Sequence, residues 1–416
     1  MKKISVVLIG IVAVAIGILS IPKENKQVLI EENLNNNNTS LAFYIEQENG
    51  NYEESSSLPG TGYVLDTEKS ICTNNTTPVW SDNKLYLDNL QNRGTSCYLY
   101  FKIYEPTAKD TILSHYDTVL TRDDFSVTVT ETTTGTIYKS LDETQYDNDG
   151  EVYYFAGNPT DNWVEFGGYY WRIIRINGNG SIRMIYQGTS ANTTGEGTQI
   201  QNDTFSINNN TFDNNAYVGY MYTLNEVHGL KNNSGIKNIL DTWYQSNLTN
   251  ISDKIDGNAG FCGDREPSTI QTDSNGQGGT GTTYTYYGAY IRLKTNKSPT
   301  FECQNSSDLY TTSGSSQGNK TLTYPIGLIS ADEAAYAGGV YATLNQSYFL
   351  YTNQNYWTMS PFTYPNTGMI IIYSNGILVN DNVSSISGIR PVINLKADVT
   401  ITGSGTTTDP YRVEGA

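Results

Sequence analysis

Histidine is almost missing from this chain: His115 and His228 are the only two in 416 residues. The four cysteines include no Cys-x-x-Cys pair. A zinc cluster needs several thiolates or imidazoles at close spacing, so that class of site is excluded. Basic charge is also scarce, with 25 Lys and Arg against 42 Asp and Glu, a net charge of −17. No basic cluster occurs, and without Lys and Arg on one face a chain cannot neutralise phosphates, so no nucleic-acid partner is expected. There is no internal repeat. Only one long apolar run is present, at the N-terminus.

Tyrosine and asparagine are abundant instead. The chain holds 33 Tyr against 11 Phe. Tyrosine joins an apolar ring to a polar tip, which suits exposed β-surface and contact patches. Lys2 and Lys3 precede an apolar run from Ile4 to Ile21, the pattern of an export signal with the body outside. Residues 1–22 are expected to be a signal peptide, with Ala13-Val14-Ala15 as a small-x-small cleavage site, or a retained membrane anchor. A run of about 18 residues can just span a bilayer. The expected location is the extracellular face of the cytoplasmic membrane or the secreted state, with membrane contact only through this segment.

Four cysteines in an exported chain read as two disulfides. Neighbour pairing, Cys72–Cys97 and Cys262–Cys303, keeps each bridge inside one domain. Loop-closure entropy then gives about 3.5 and 3.9 kcal/mol. Residues 23–41 are a polar linker containing Asn35 to Asn38. Residues 42–104 form a small all-β, sandwich-like module with strand-like segments near Leu41–Ile45, Gly62–Leu65, Leu85–Leu87 and Ser96–Ile103. Residues 105–146 read as a connector, with a helix over Pro106 to Leu120 and an alternating strand Phe125 to Thr130.

The main domain is expected over residues 147–402, with 403–416 as a tail. It opens with a hairpin through Gly167-Gly168 and turns again at Asn177–Gly180. Ser234 caps a helix from Gly235 to about Leu248, with Ile236, Ile239, Leu240 and Trp243 on one face. Ser330-Ala331-Asp332-Glu333 is a capping box starting a second helix. Asn275 to Thr283 is a Gly-rich loop inside the second disulfide bracket. A further hairpin turns at Asn375-Gly376, and a closing strand carries Gly388-Ile389-Arg390-Pro391-Val392-Ile393. Strands, helices and strands within one segment indicate α+β.

The ordered set Tyr153–Gly157, Tyr170–Arg175, Tyr324–Ser330, Tyr356–Pro361, the late hairpin and Gly388–Leu395 resembles the C-type-lectin-like fold. It is closest to the bacterial surface-protein branch related to formylglycine-generating enzymes and to the variable proteins of diversity-generating retroelements. The resemblance implies mixed β-sheets with two helices, a non-enzymatic binding or adhesion function, and an extracellular protein or glycan ligand. It also assigns Trp171, Trp357 and Arg390 to the fold. Its ligand face lies around the late hairpin, which makes Asn355, Tyr356, Thr358, Phe362, Tyr364, Asn366, Tyr373, Asn380 and Asn382 the binding candidates. A structural envelope or appendage component, or an enzyme of formylglycine-generating ancestry, is the alternative.

Other motifs have plainer readings. Leu58-Pro59-Gly60-Thr61-Gly62 matches a sorting signal but is followed by a β-module, so it reads as a turn. Asp147-Asn148-Asp149-Gly150-Glu151 begins like a calcium loop, yet position 12 is Asn158 where a bidentate Glu is needed. Lectin-type Glu-Pro-Asn and Trp-Asn-Asp triplets are missing; Trp80-Ser81-Asp82-Asn83 lies in another module. No metal or other cofactor is expected. His228 lacks a neighbouring nucleophile motif and reads as structural, so no catalytic residue is assigned.

Overall fold

The computed structural model describes residues 28–29, 39–90, 94–206, 214–268, 285–364 and 367–416. The apolar run Ile4 to Ile21, most of the polar linker and the Gly-rich segment Asn275 to Thr283 lie outside them. The chain divides into two compact units, Met1–Glu105 and Pro106–Ala416. Both are built mostly from strands with few helices. Among the described residues no helix is long and apolar enough to cross a membrane.

The first unit contains β1 (Val28–Leu29), β2 (Ser40–Glu46), β3 (Tyr52–Ser55), β4 (Tyr63–Leu65), β5 (Ile71–Cys72), β6 (Thr77–Ser81), β7 (Lys84–Asp88) and β8 (Ser96–Ile103). One sheet has the order β1-β7-β6, the other β3-β2-β8-β4 with β5 on β8. Alternation along β8 explains the layering. Cys97, Leu99 and Phe101 point into the core with Leu85 and Leu87, whereas Tyr98 and Lys102 face out. Each fully buried side chain of this size contributes about 1.5–3 kcal/mol. The Cys72–Cys97 disulfide joins directly paired residues of β5 and β8. Leu58 to Gly62 is the connection between β3 and β4, ending on Gly62 at φ +90°.

The second unit begins earlier than the sequence suggests. The expected helix shrinks to α1 (Ala108–Leu113), closed by a Thr107–Asp110 capping box. The β-branched Thr118 and Val119 then leave the helix for β9 (Thr118–Leu120). Phe125 to Thr130 is not a strand. Its backbone groups are taken singly: Arg122 donates to Val127 O and Asn345 to Val129 O, while Val129 N donates to Gly338 O, so no ladder forms. Residues 105–146 therefore do more than connect: β9 and β11 (Thr136–Lys139) join the main sheet, and β10 (Thr132–Thr133) pairs with β13 (Asn158–Pro159). The expected tail, 403–416, joins as well: it supplies β29 (Tyr411–Val413), which pairs with β14 and with β28 (Ile401–Thr402).

At the centre of this curled sheet is β15 (Tyr169–Ile176), rich in aromatic and β-branched residues. Along one edge it pairs with β14 (Trp163–Phe166) and β12 (Tyr153–Tyr154). The other edge pairs with β16 (Ile182–Gly188), which pairs in turn with β27 (Val392–Leu395). Gly167 and Gly168 form the β14–β15 turn at φ +62° and +78°, the left-handed pair a two-residue hairpin requires. A second sheet has the order β17 (Gln201–Thr204), β26 (Ile386–Ile389), β23 (Tyr356–Tyr364), β24 (Gly368–Ile372), β25 (Leu378–Asn382), with β21 (Thr285–Tyr286) on the end of β23. Two small ladders complete the strands, β18 (Met221–Tyr222) with β19 (Asn232–Asn233) and β20 (Phe261–Cys262) with β22 (Leu309–Tyr310).

Two expected helices form. Helix α2 (Gly235–Asn247) is capped by Ser234, and α4 (Ala331–Tyr336) has the Ser330–Glu333 capping box. Between them a short turn, α3 (Gly288–Tyr290), continues helically to Asn296. The buried stripe of α2 is Ile236, Leu240 and Tyr244. Ile239 and Trp243, expected on the same face, lie at its half-exposed flank.

Trp171, Trp357 and Arg390 are all at most 1% exposed. The Arg390 guanidinium donates to the carbonyls of Tyr186 and Leu350 and to Gln187 Oε1, and stacks on Tyr356. Arg122 also donates to the carbonyls of Asp124, Val127 and Ala335, Arg172 to that of Pro159, and Arg265 to those of Met221 and Gly229. A planar fork of donors satisfies backbone groups that irregular segments cannot pair themselves.

Candidate functional site

The late hairpin forms, but its loop is one residue longer than an Asn-Gly turn. Gly376 N donates to Tyr373 O, and Tyr373 pairs with Ile377 around Ser374-Asn375-Gly376, with Gly376 at φ +82°. This is a type I turn followed by a left-handed glycine.

Burial then divides the nine expected binding residues. Tyr356 and Thr358 are fully buried and are not ligand contacts. The Tyr356 hydroxyl donates to Leu350 O at 2.7 Å and the Thr358 hydroxyl to Ile370 O at 2.6 Å. On this face of β23 Leu350 meets the Tyr356 hydroxyl and Ala331 N donates to the Ser360 hydroxyl, so alternation along the strand does not give an outer side here. Asn355 is half-buried and structural, its Oδ1 accepting from Ser374 N. Tyr373 is half-buried and packs on the core. Tyr364 ends β23 but its side chain lies outside the described residues, as does all of Asn366. Phe362, Asn380 and Asn382 are half-buried too, Phe362 packing on the core as Tyr373 does.

Phe362 and Asn380 belong to an aromatic patch that the hairpin alone does not reveal. β21 lies on the end of β23, pairing Tyr286 with Thr363, and Tyr287 N donates to Phe362 O. Tyr286 stacks on Tyr290 of α3 with ring centroids 4.6 Å apart and 18° between planes. Phe362 meets Tyr290 edge-on at 4.8 Å, and Tyr341 meets it at 5.6 Å. The Tyr341 hydroxyl donates to Asn380 Oδ1 at 3.2 Å. Lys294 lies over the Tyr290 ring, 4.9 Å from its centroid, and bonds its hydroxyl. That hydrogen bond holds the ammonium above its ordinary pKa. Tyr286, Tyr341 and Phe362 are each half-buried, whereas Tyr290 is buried. The rings fix one another, so contact area is presented with little side-chain entropy left to lose. Tyr286, Tyr290 and Tyr341 escaped the sequence reading; the Tyr-rich run Tyr284–Tyr290 was the available signal.

A second cluster surrounds His228. Its Nδ1 lies 3.0 Å from Asp308 Oδ1, its Nε2 3.4 Å from Glu266 Oε2 and 3.1 Å from Asn305 Nδ2. The Asp308 hydrogen bond raises the imidazole pKa above its ordinary value, against partial burial. Burial pushes Asp308 up, but His228 and Arg265 outweigh it and hold the carboxyl low. Arg265 donates to Asp308 Oδ1 at 2.9 Å. No Ser, Thr or Cys side chain bonds His228 among the described residues, so the cluster has a base and an orienting acid but no nucleophile.

A third feature is a charged cleft of about 50 Å³ beside the Cys262–Cys303 disulfide. Arg175 bonds Asp147 and Glu333, Arg183 pairs with Glu333, and Arg292 bridges Asp264 and Asp332. Burial, with Asp332 nearby, raises Asp264 to about 6 despite its pairing with Arg292. Such a space holds only a few waters. The Asp147 carboxylate, read in sequence as a calcium-like start, accepts instead from Asp149 N, Gly150 N and Gly178 N in a turn.

Comparison with protein-family models, with curated proteins and with solved structures finds no match for this chain.

Proposed function

We propose that this is an exported, non-enzymatic binding protein whose second unit is a C-type-lectin-like domain presenting an aromatic face to an extracellular protein or glycan. The observation that carries the reading is the cluster of Tyr286, Tyr290, Tyr341 and Phe362 beside Asn380, four rings ordered by mutual contact and three of them only half-buried. Two disulfides support an oxidising location outside the cytoplasm. Two capped helices packed with a hairpin-bearing sheet support the lectin-like scaffold. The test is capture of the full chain on arrays of extracellular proteins and glycans, repeated with Tyr286→Ala, Tyr341→Ala and Phe362→Ala. A contact-ring truncation is expected to weaken capture about tenfold or more. Capture unchanged in all three variants contradicts the assignment. Dilution-dependent self-association with no captured ligand supports an appendage subunit instead.

The His228–Asp308 pair is the observation favouring an enzyme of the same ancestry. It ranks second because Arg265 already engages the Asp308 carboxylate. Hydrolytic turnover that disappears with His228→Gln supports this second reading.

A further inference from the structure

The flank of α2 carries a groove separate from the aromatic patch. It has a volume of about 420 Å³ and runs between α2 and the start of β17. Among the described residues its lining contains no charged side chain, in a chain of net charge −17. Trp243 and Ile239 give an apolar ridge. Asn238, Thr242 and Ser246, spaced four apart, give a polar ridge beside it, and Gln201 stands opposite on β17. The indole is held in place from behind, its ring centroid 5.3 Å from Tyr169, 5.8 Å from Tyr186 and 6.2 Å from Trp171.

Much hydrogen-bonding capacity here is unspent. Thr242 and Ser246 donate to backbone carbonyls one turn back, which leaves their oxygens as acceptors. Asn238 accepts from Asn233 through Oδ1, which leaves its amide N–H donors. Gln201 donates to Asp203 through Nε2, which leaves its carbonyl oxygen. Successive members of the polar ridge, four residues apart, are separated by about 6 Å along the helix axis.

We propose that this groove binds a neutral oligosaccharide, one sugar face on the Trp243 indole and its hydroxyls along Asn238, Thr242 and Ser246. The chemistry fits that class. An uncharged lining offers nothing to an ionic ligand, and a ring with apolar faces and hydroxyl edges matches adjacent apolar and polar ridges. This site is independent of the Tyr286–Phe362 patch.

Saturation-transfer NMR of the full chain with cello-, chito- and malto-oligosaccharides, and with acidic oligogalacturonate, tests it. At least one neutral series is expected to bind and the acidic one not to bind. Trp243→Leu should weaken binding at least tenfold. Because Trp243 touches the core, Ser246→Glu provides the second variant. Position 246 is exposed on the helix, so the same loss should appear with the melting midpoint unchanged. Phe362→Ala should leave binding intact. Failure of every neutral series to bind, equal binding of oligogalacturonate, or retained affinity in both groove variants overturns the proposal.

Discussion

Replacing Glu333 with Gln should cost more stability than any conservative surface change in the protein. Glu333 is 3% exposed. Its Oε1 lies 3.1 Å from Arg175 Nε and 2.5 Å from Arg183 Nε, while Oε2 accepts from Ser330 N at 2.9 Å to close the α4 capping box. The amide keeps the shape but removes the charge. Arg175 then keeps Asp147, while Arg183 loses the carboxylate it pairs with. Breaking a buried pair from one side costs about 3–5 kcal/mol. For a unit of this size that is a fall in melting midpoint of about 5–8 °C. Ser330→Ala, which removes only the cap, should cost about 1 kcal/mol. Glu165→Gln, in an exposed pair with Arg412, should stay within about 0.5 kcal/mol. Calorimetry at pH 7 on the three variants measures all of this. The sign with pH is also fixed. Burial pushes the Glu333 carboxyl up, but Arg183, Arg175 and the Ser330 N–H hold it below its ordinary value. Its contribution is therefore present above the unfolded pKa and lost as pH falls through the lower folded value. A Glu333→Gln midpoint within about 2 °C of the parent at pH 7 refutes the reasoning.

Asp264 acts with the opposite sign. Its folded pKa of about 6 lies above the unfolded value, so it stabilises the fold at low pH and that increment is lost as pH rises from about 4 to about 6. Asp264→Asn should flatten this part of the stability profile; an unaltered slope counts against it. The His228 imidazole should titrate by NMR above about 6.5, and Asp308→Asn should bring it down. Replacing Cys262 and Cys303 with Ser should cost about 2–5 kcal/mol, read as a lowered unfolding midpoint in denaturant.

Much of the scaffold was legible because its signals are local. Ser234 and the Ser330–Glu333 box start helices with their own side chains, and Gly167-Gly168 supplies the two left-handed residues of a hairpin. Both disulfides join neighbours in sequence, so keeping each bridge within one domain was enough to pair them. What failed was long-range. The tail looked isolated because β29 reaches its partner β14 across some 250 residues. Phe125 to Thr130 alternates like a strand, but Arg122 and Asn345 take its carbonyls one at a time. The candidate site was half visible. Phe362, Asn380 and Asn382 could be placed on the late hairpin, yet the depth of Tyr356 depends on Leu350 reaching its hydroxyl and that of the same face at Ser360 on α4. The partners Tyr286 and Tyr290 come from a segment that reaches β23 only through tertiary pairing.

The central claim is that the Tyr286–Tyr290–Tyr341–Phe362 patch is where this protein meets its ligand. Hydroxyl-radical footprinting of the full chain, free and saturated with the captured ligand, tests it most directly. The expected result is labelling of Tyr286, Tyr341 and Phe362 in the free chain, suppression of all three on binding, and no labelling of Tyr356 in either state. Suppression confined to other surfaces, or labelling of Tyr356 in the free chain, contradicts the account.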